Sequence, residues 1–268
     1  MTKVDTVFSG SIPALYDKHL GPLLFEPYAE DLARRLSDLT AGTVLEVAAG
    51  TGIVTRALIR ALPNDVRVVA TDLNQPMLDH AAAQERSGRV TWQQADAQAL
   101  PSADASFEAV VCQYGVMFFP DKGQAFREAR RVLKPRGRYI FNVWDRLADN
   151  EFADIVTSVA AELFPDDPPL FLARTPHGYN DKELIVAELK KAGFVEVACE
   201  TVAKRSRAPS SREPAIGFVQ GSPLRNEIEA RRGHTLAEVT DAAAARIASR
   251  FGRGSVDGKI QALVFTAR

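Results

Sequence analysis

Cysteine is scarce in this chain. There are two in 268 residues, Cys112 and Cys199, far apart and each within an apolar run. Neither has a second cysteine or a histidine at ligand spacing, which argues against a disulfide framework and against a structural metal site. Two buried thiols in a reducing cytoplasm are expected instead. An excess of charge of one sign is also missing: 33 Lys and Arg face 34 Asp and Glu, for a net charge of -1. A phosphate-gripping surface would carry a basic bias, so no nucleic-acid partner is expected. Long hydrophobic runs are lacking too. No stretch approaches the ~20 apolar residues that span a bilayer. Residues 1–11 lack the basic start and apolar run of a signal peptide. These absences predict a cytoplasmic protein without a membrane span. Internal repeats and low-complexity tracts are absent as well.

What is there is ordinary globular composition, 46% hydrophobic and 25% charged. The length suits one domain, 1–268, with a substantial core. Residues 22–39 carry apolar positions at helical spacing, and Gly42 breaks the pattern. A strand is predicted over 43–47, then a glycine turn, then a helix with Ile53, Val54, Ala57, Leu58, Ala61 and Leu62 on one face, ended by Pro63. The alternation repeats. A strand over 67–71 leads to a helix through residue 84, with Asn74 as cap and Pro76 in its first turn. Strands follow over 90–94 and 109–113, the latter almost wholly apolar, as an interior parallel strand should be. Asp121 caps a helix to residue 133, Lys134-Pro135-Arg136-Gly137 stops it, and a fifth strand covers 138–144. Beyond Asp145 a helix over 151–164, a loop over 165–179, a helix capped by Asp181, a strand over 195–202, turns over 207–214, helix over 224–251 and a last strand over 259–266 are expected.

This rhythm specifies an α/β fold: a Rossmann-like, doubly wound, seven-stranded, mostly parallel sheet with helical additions. We divide it into an N-terminal helical cap (1–42), a cofactor-binding core (43–145) and a C-terminal half (146–268) with a helical insertion at 207–252. Ligands of such sheets bind at the carboxyl ends of the strands, so the residues there are informative.

The first strand ends in Glu46-Val47-Ala48-Ala49-Gly50-Thr51-Gly52. Small residues let the backbone turn tightly and approach a ligand, and the following helix offers free N–H groups. The dinucleotide pattern G-x-G-x-x-G is not met, because its positions hold Ala48, Gly50 and Ile53. Asp72 follows the second strand, where a carboxylate can accept two hydrogen bonds from a ribose diol. Asp96-Ala97 follows the third, where a carboxylate can accept from an adenine amino group and a backbone N–H can donate to the ring.

Taken in order, Val44-Leu45-Glu46-Val47-Ala48-Ala49-Gly50-Thr51-Gly52, Asp72, Asp96-Ala97, Phe107-Glu108-Ala109-Val110-Val111-Cys112-Gln113 and Arg131-Val132-Leu133-Lys134-Pro135-Arg136-Gly137 resemble the class I S-adenosylmethionine-dependent methyltransferases. Their small-molecule branch, which includes the ubiquinone/menaquinone-biosynthesis methyltransferases, is most similar. The likeness covers roughly residues 43–145. It implies S-adenosylmethionine as methyl donor and S-adenosylhomocysteine as product, and no metal. It places Glu46, Ala48 and Gly50, with Thr51 and Gly52 of the same turn, beside the methionine part. Asp72 would bind the ribose, Leu73 and Met77 would flank the adenine, and Asp96 and Ala97 would read its edge. Gln113 and Tyr114 would close the methionine side. Ala48 stands where this family often has glycine.

The acceptor side is expected from Phe25, Gly115 and Phe118, with Tyr16 able to cover the sulfonium by a cation–π contact. His19 and Tyr16 are the candidates for a catalytic group. Methyl transfer needs a base only if the nucleophile must lose a proton. Gln113-Tyr114-Gly115-Val116 is not the Asn/Asp-Pro-Pro-aromatic signature of amino-DNA methyltransferases, and Cys112 lacks the preceding proline of the cytosine-ring enzymes. A small-molecule acceptor and a monomeric or homodimeric protein are expected. A catalytically idle S-adenosylmethionine-binding sensor or scaffold is the alternative. A nicotinamide-dependent oxidoreductase is disfavoured by Ile53.

Overall fold

A computed structural model describes residues 12–268, with side chains from residue 14. Its sheet has seven strands: β1 (Gly42–Val47), β2 (Val66–Asp72), β3 (Val90–Gln94), β4 (Phe107–Gln113), β5 (Leu133–Trp144), β6 (Val197–Ala208) and β7 (Val256–Ala267). Their order is β3-β2-β1-β4-β5-β7-β6, and β1 pairs in parallel with both β2 and β4. The β2/β3 and β4/β5 pairings are parallel too. The mixed sheet is thus the doubly wound α/β fold expected, with its reversal of strand order between β1 and β4.

Contact density divides the described chain into two compact units. One comprises residues 25–143, 180–202 and 263–268; the other comprises residues 12–24, 144–179 and 203–262.

In the first unit, β1 and β4 are buried nearly throughout, because helices cover both faces of a parallel sheet. Helices α3 (Ile53–Ala61), α4 (Gln75–Gln84) and α5 (Lys122–Val132) follow β1, β2 and β4. The predicted face of α3 is buried at Ile53, Val54, Ala57 and Leu58. Arg89 donates to the carbonyls of Leu62 (3.1 Å) and Pro63 (2.8 Å), satisfying groups the end of α3 leaves open. Asp121 caps α5 by accepting from the Gln124 N–H at 2.8 Å. Asp181 likewise caps α8 (Lys182–Lys191). Phe126 of α5 packs beside Tyr139 and Phe141 of β5, and Phe141 stacks on Phe265 at 5.0 Å.

Several boundaries differ from expectation. The helix predicted from Pro22 is longer: α1 (Ile12–Leu15) runs into wide π-helical turns (Tyr16–Phe25) and then α2 (Glu26–Arg34). Proline lacks an N–H and crowds the preceding turn, and Pro22 sits in the widened segment rather than at a helix start. Lys134–Gly137, read as a stop, belongs to β5. There Arg136 turns left-handed (φ 69°) and the register against β4 shifts between Phe107 and Ala109, as in a bulge. Asn74 occupies the cap position of α4 without a side-chain cap bond. Its amide reaches back to Asp72 at 3.4 Å.

In the second unit, α6 (Glu151–Leu163) matches the expected helix. The region 165–179 contains a short helix, α7 (Phe171–Arg174), and α9 (Arg212–Gln220) begins within the stretch read as turns. Helices α10 (Leu224–Glu229) and α11 (Leu236–Phe251) are separated near Gly233, and Thr235 with Glu238 forms a capping box at α11.

Candidate functional site

The turn after β1 is built from left-handed residues. Ala48, Gly50 and Gly52 have φ of 56°, 56° and 77°. Glycine adopts such angles freely; alanine does so at a steric cost. The two glycines differ in purpose. A Cβ on Gly52 would lie 3.0 Å from both Ala81 Cβ and Trp92 Cη2, so its absence lets α3 pack close. A Cβ on Gly50 would meet nothing nearer than Met77 Cε at 3.9 Å. The space over Gly50 is open, with the buried Met77 at its border. Thr51 is buried, and its carbonyl accepts from Arg56 at 2.7 Å.

Two carboxylates are buried next to this turn. Glu46, 2% exposed, accepts from the Thr55 hydroxyl, and its carbonyl accepts from Thr71 Oγ1 at 2.9 Å. Burial, reinforced by the nearby Asp72 charge, pushes its carboxyl up to about 8. Asp72, 8% exposed, accepts from the Gly50 N–H (2.8 Å) on one oxygen and from the Asn74 N–H (2.8 Å) on the other. It is also raised above the usual carboxylate range, again by burial. These backbone donors tie the end of β2 to the turn after β1. Leu73 beside it is 56% exposed, and its carbonyl accepts from Gln94 Nε2 at 2.8 Å.

Asp96 lies at a tight turn after β3, bridged to Ala99. Its Oδ1 accepts from the Gln98 N–H (2.8 Å) and Gln98 Nε2 (3.1 Å), and Ala97 is buried. Gln98 Oε1 in turn accepts from the Asp121 N–H at 2.9 Å, fixing this loop to the cap of α5.

The ends of β4 and β5 form the other flank. Gln113 donates through Nε2 to the Phe25 carbonyl at 3.0 Å. Tyr114 is left-handed (φ 53°), and its ring lies 5.8 Å from Phe25 and 5.6 Å from Tyr28. A Cβ on Gly115 would fall 2.6 Å from Ala48 Cβ and 2.7 Å from Cys112 Sγ. The methyl of Ala48 therefore occupies space that any side chain at 115 would need. Cys112 is core, as expected, with burial pushing its thiol up to about 12. Phe118 is half-buried in a single helical turn (Val116–Phe118).

Tyr16 and His19 belong to the second unit. His19 is buried rather than on the surface, with Nδ1 2.6 Å from Glu213 Oε2. Gly217 makes room there, since a Cβ on it would press on Leu20 and His19. Sequence reading passed over Thr55 and Gln98, which donate to the carboxylates of Glu46 and Asp96, Thr71, which donates to the Glu46 carbonyl, and Asn142 on β5. Asn142 had a signal: it is the one amide in the apolar run Tyr139-Ile140-Phe141-Asn142-Val143-Trp144. Among the described residues no group of His, Cys, Asp and Glu could hold a metal ion, and no helix is long and apolar enough to cross a membrane.

Residues 44–137 match the family described as a methyltransferase domain. The ubiquinone/menaquinone biosynthesis C-methyltransferase of Pseudomonas aeruginosa is 31% identical over 176 residues, spanning 60% of this chain and 69% of that protein. This chain belongs to the class I S-adenosylmethionine-dependent methyltransferases. The corresponding Klebsiella pneumoniae protein is 29% identical over 168 residues, 58% of this methyltransferase and 67% of the relative. Among solved structures, the Haemonchus contortus phosphoethanolamine N-methyltransferase 2 with S-adenosylhomocysteine bound shares the fold (TM-score 0.62, 17% identity, 100% of this chain and 60% of that one). The [4+2]-cyclase SpnF does so as well (TM-score 0.60, 21% identity, 96% and 92%). The methyl donor of the methyltransferase is S-adenosylmethionine. The matched span contains the turn after β1, Asp72, Asp96 and Gln113; Phe25 and Asn142 lie outside it.

Proposed function

We propose that this methyltransferase acts on a small-molecule acceptor and holds its donor on the three loops after β1, β2 and β3. The observation that carries the donor site is Asp72. Its buried carboxylate is aimed by the Gly50 and Asn74 N–H groups, beside open space and an exposed apolar Leu73. Oδ2 keeps a second lone pair for a ribose hydroxyl, and at Oδ1 a second hydroxyl would displace only the long 3.4 Å contact from Asn74 Nδ2. Leu73 and Met77 offer apolar surface to an adenine, and Asp96 with the Ala97 N–H offers an acceptor and a donor to its edge. The turn Ala48–Gly52 admits the methionine end closely because Gly50 has no side chain. Glu46 and Tyr114 bound that end, Gln113 stands where it meets the acceptor space, and Phe25, Gly115 and Phe118 lie toward the acceptor.

Bound S-adenosylmethionine supplies a methyl group already activated on a sulfonium. The protein's task is alignment. Fixing donor and acceptor in line is worth on the order of 7–11 kcal/mol in favourable cases. Groups held by backbone bonds, as Asp72 is, need no rearrangement at the moment of reaction. A small acceptor is supported by the relatives named for ubiquinone/menaquinone C-methylation and by the near-zero net charge. The paucity of cysteine suits a reducing compartment such as the cytoplasm.

Incubation with methyl-labelled S-adenosylmethionine and separate pools of small hydroxylated or amino compounds, nucleic acid and protein tests the reading. Label should appear in a small-molecule pool. Label confined to nucleic acid or protein would overturn the acceptor class, and donor binding without transfer to any pool would favour the idle sensor.

A further inference from the structure

Gln113 and Asn142 are register partners at the carboxyl ends of β4 and β5, so their side chains leave the sheet on the same face. Each amide is held in one orientation by the backbone. Gln113 gives Nε2 to the Phe25 carbonyl at 3.0 Å, so its oxygen cannot exchange places with its nitrogen. Asn142 Oδ1 takes the Tyr114 N–H at 3.0 Å, which fixes that amide equally. What remains is a buried acceptor, Gln113 Oε1, and a buried donor, Asn142 Nδ2. Neither has a hydrogen-bond partner among the described residues, and they do not bond to each other. Asn142 is 0% exposed. Buried polar groups are nearly always satisfied, so a neighbouring unmet pair of opposite character calls for a ligand.

The place in the sheet says which ligand. The loops proposed for the donor follow β1, β2 and β3, whereas β5 lies two strands from β1 on the opposite side, about 10 Å away at the usual strand spacing. We infer that Gln113 and Asn142 together bind the acceptor through a hydroxyl group, whose hydrogen goes to Gln113 Oε1 and whose lone pair takes Asn142 Nδ2–H. A hydroxyl meets both amides with one atom. An ether or ketone oxygen meets only Asn142, and a hydrocarbon meets neither. The inference rests on the methyltransferase reading and adds to it a class of acceptor, a small molecule with a free hydroxyl group.

The test uses the full chain saturated with S-adenosylhomocysteine and three probes: phenol, anisole and toluene. Their binding is followed by ligand-detected NMR in the wild type, Asn142→Leu and the milder Asn142→Asp. Phenol should bind roughly tenfold or more tighter than anisole or toluene, because the latter leave a buried amide unmet. Asn142→Leu should abolish that preference while S-adenosylhomocysteine affinity, which also reports folding, stays within about twofold. If Asn142→Leu does not fold, Asn142→Asp carries the same comparison. Equal binding of the three probes, a preference for phenol that survives at Asn142, or a bound water kept on both amides in the presence of phenol would overturn it. A large loss of S-adenosylhomocysteine affinity in both variants would overturn it by assigning the amides to the donor's methionine end. Failure of the wild type to bind S-adenosylhomocysteine at all would instead sink the donor site.

Discussion

Two sets of carboxylates stand in contrast: the buried pair beside the turn after β1, and the surface ion pairs of the helices in the other unit. In the unit that holds β1 to β4, Glu46 and Asp72 are buried and bonded to a hydroxyl and to backbone N–H groups. In the unit containing α9 to α11, carboxylates sit at the surface and pair with arginines: Asp257 with Arg205 and Arg207, Glu162 with Arg246, Asp241 with Arg212. Exposed pairs of that kind contribute little to stability. Burying a carboxylate costs free energy unless it is satisfied, and a site that keeps two of them carries that cost for a ligand. We read the contrast as the mark of the proposed donor site in the first unit, and it can be broken at several points.

The largest effect is expected at Gly115. Gly115→Val drives a side chain into Ala48 and Cys112, and should destabilise the protein by about 3 kcal/mol or more in denaturant unfolding. With Gly115→Ala, adding Ala48→Gly should recover part of the loss, because the two positions compete for one space. Additive effects would mean the strand ends do not touch as described.

Next comes Glu46. Its folded carboxyl titrates near 8, against an ordinary value of 4.5. The folded state therefore binds the proton more tightly, and stability falls as pH rises from about 4.5 to 8 before levelling off. Glu46→Gln removes that slope. The variant should be more stable than wild type by several kcal/mol at pH 9, and close to it near pH 5. Parallel pH profiles of unfolding would contradict the burial argument.

Asp72→Ala should weaken S-adenosylhomocysteine binding by about 1–3 kcal/mol, since it removes the ribose acceptor and leaves Gly50 and Asn74 N–H unmet. Calorimetric titration checks it. Thr235→Ala, in the other unit, deletes a cap of α11 and should cost about 1 kcal/mol of stability with no change in that affinity. A change in ligand affinity there would blur the division drawn here.

The same division explains what could be read from the chain alone. Between β1 and α5 each signal is local: an apolar strand, a small-residue turn, a capping aspartate, an acidic residue at the ends of β2 and β3. The residues proposed for the donor site, Glu46, Gly50, Asp72 and Asp96, stand out in the sequence for that reason. The π-helical turns around Pro22, the extension of β5 through Pro135 and the helix over Arg212–Gln220 were not, because long-range packing overrides local propensity there. His19 has no partner near it in sequence; Glu213, nearly two hundred residues on, lies against it in the fold. Asn142 was visible as a polar interruption, but only its register with Gln113 gives it a meaning.

The most direct measurement is calorimetric titration of the wild-type chain with S-adenosylhomocysteine and, separately, with NAD. Binding of S-adenosylhomocysteine in the micromolar range or tighter, with little heat from NAD, is the result expected. Tight NAD binding with none of S-adenosylhomocysteine would contradict the assignment of Asp72 and the turn over Gly50 to a methyl donor.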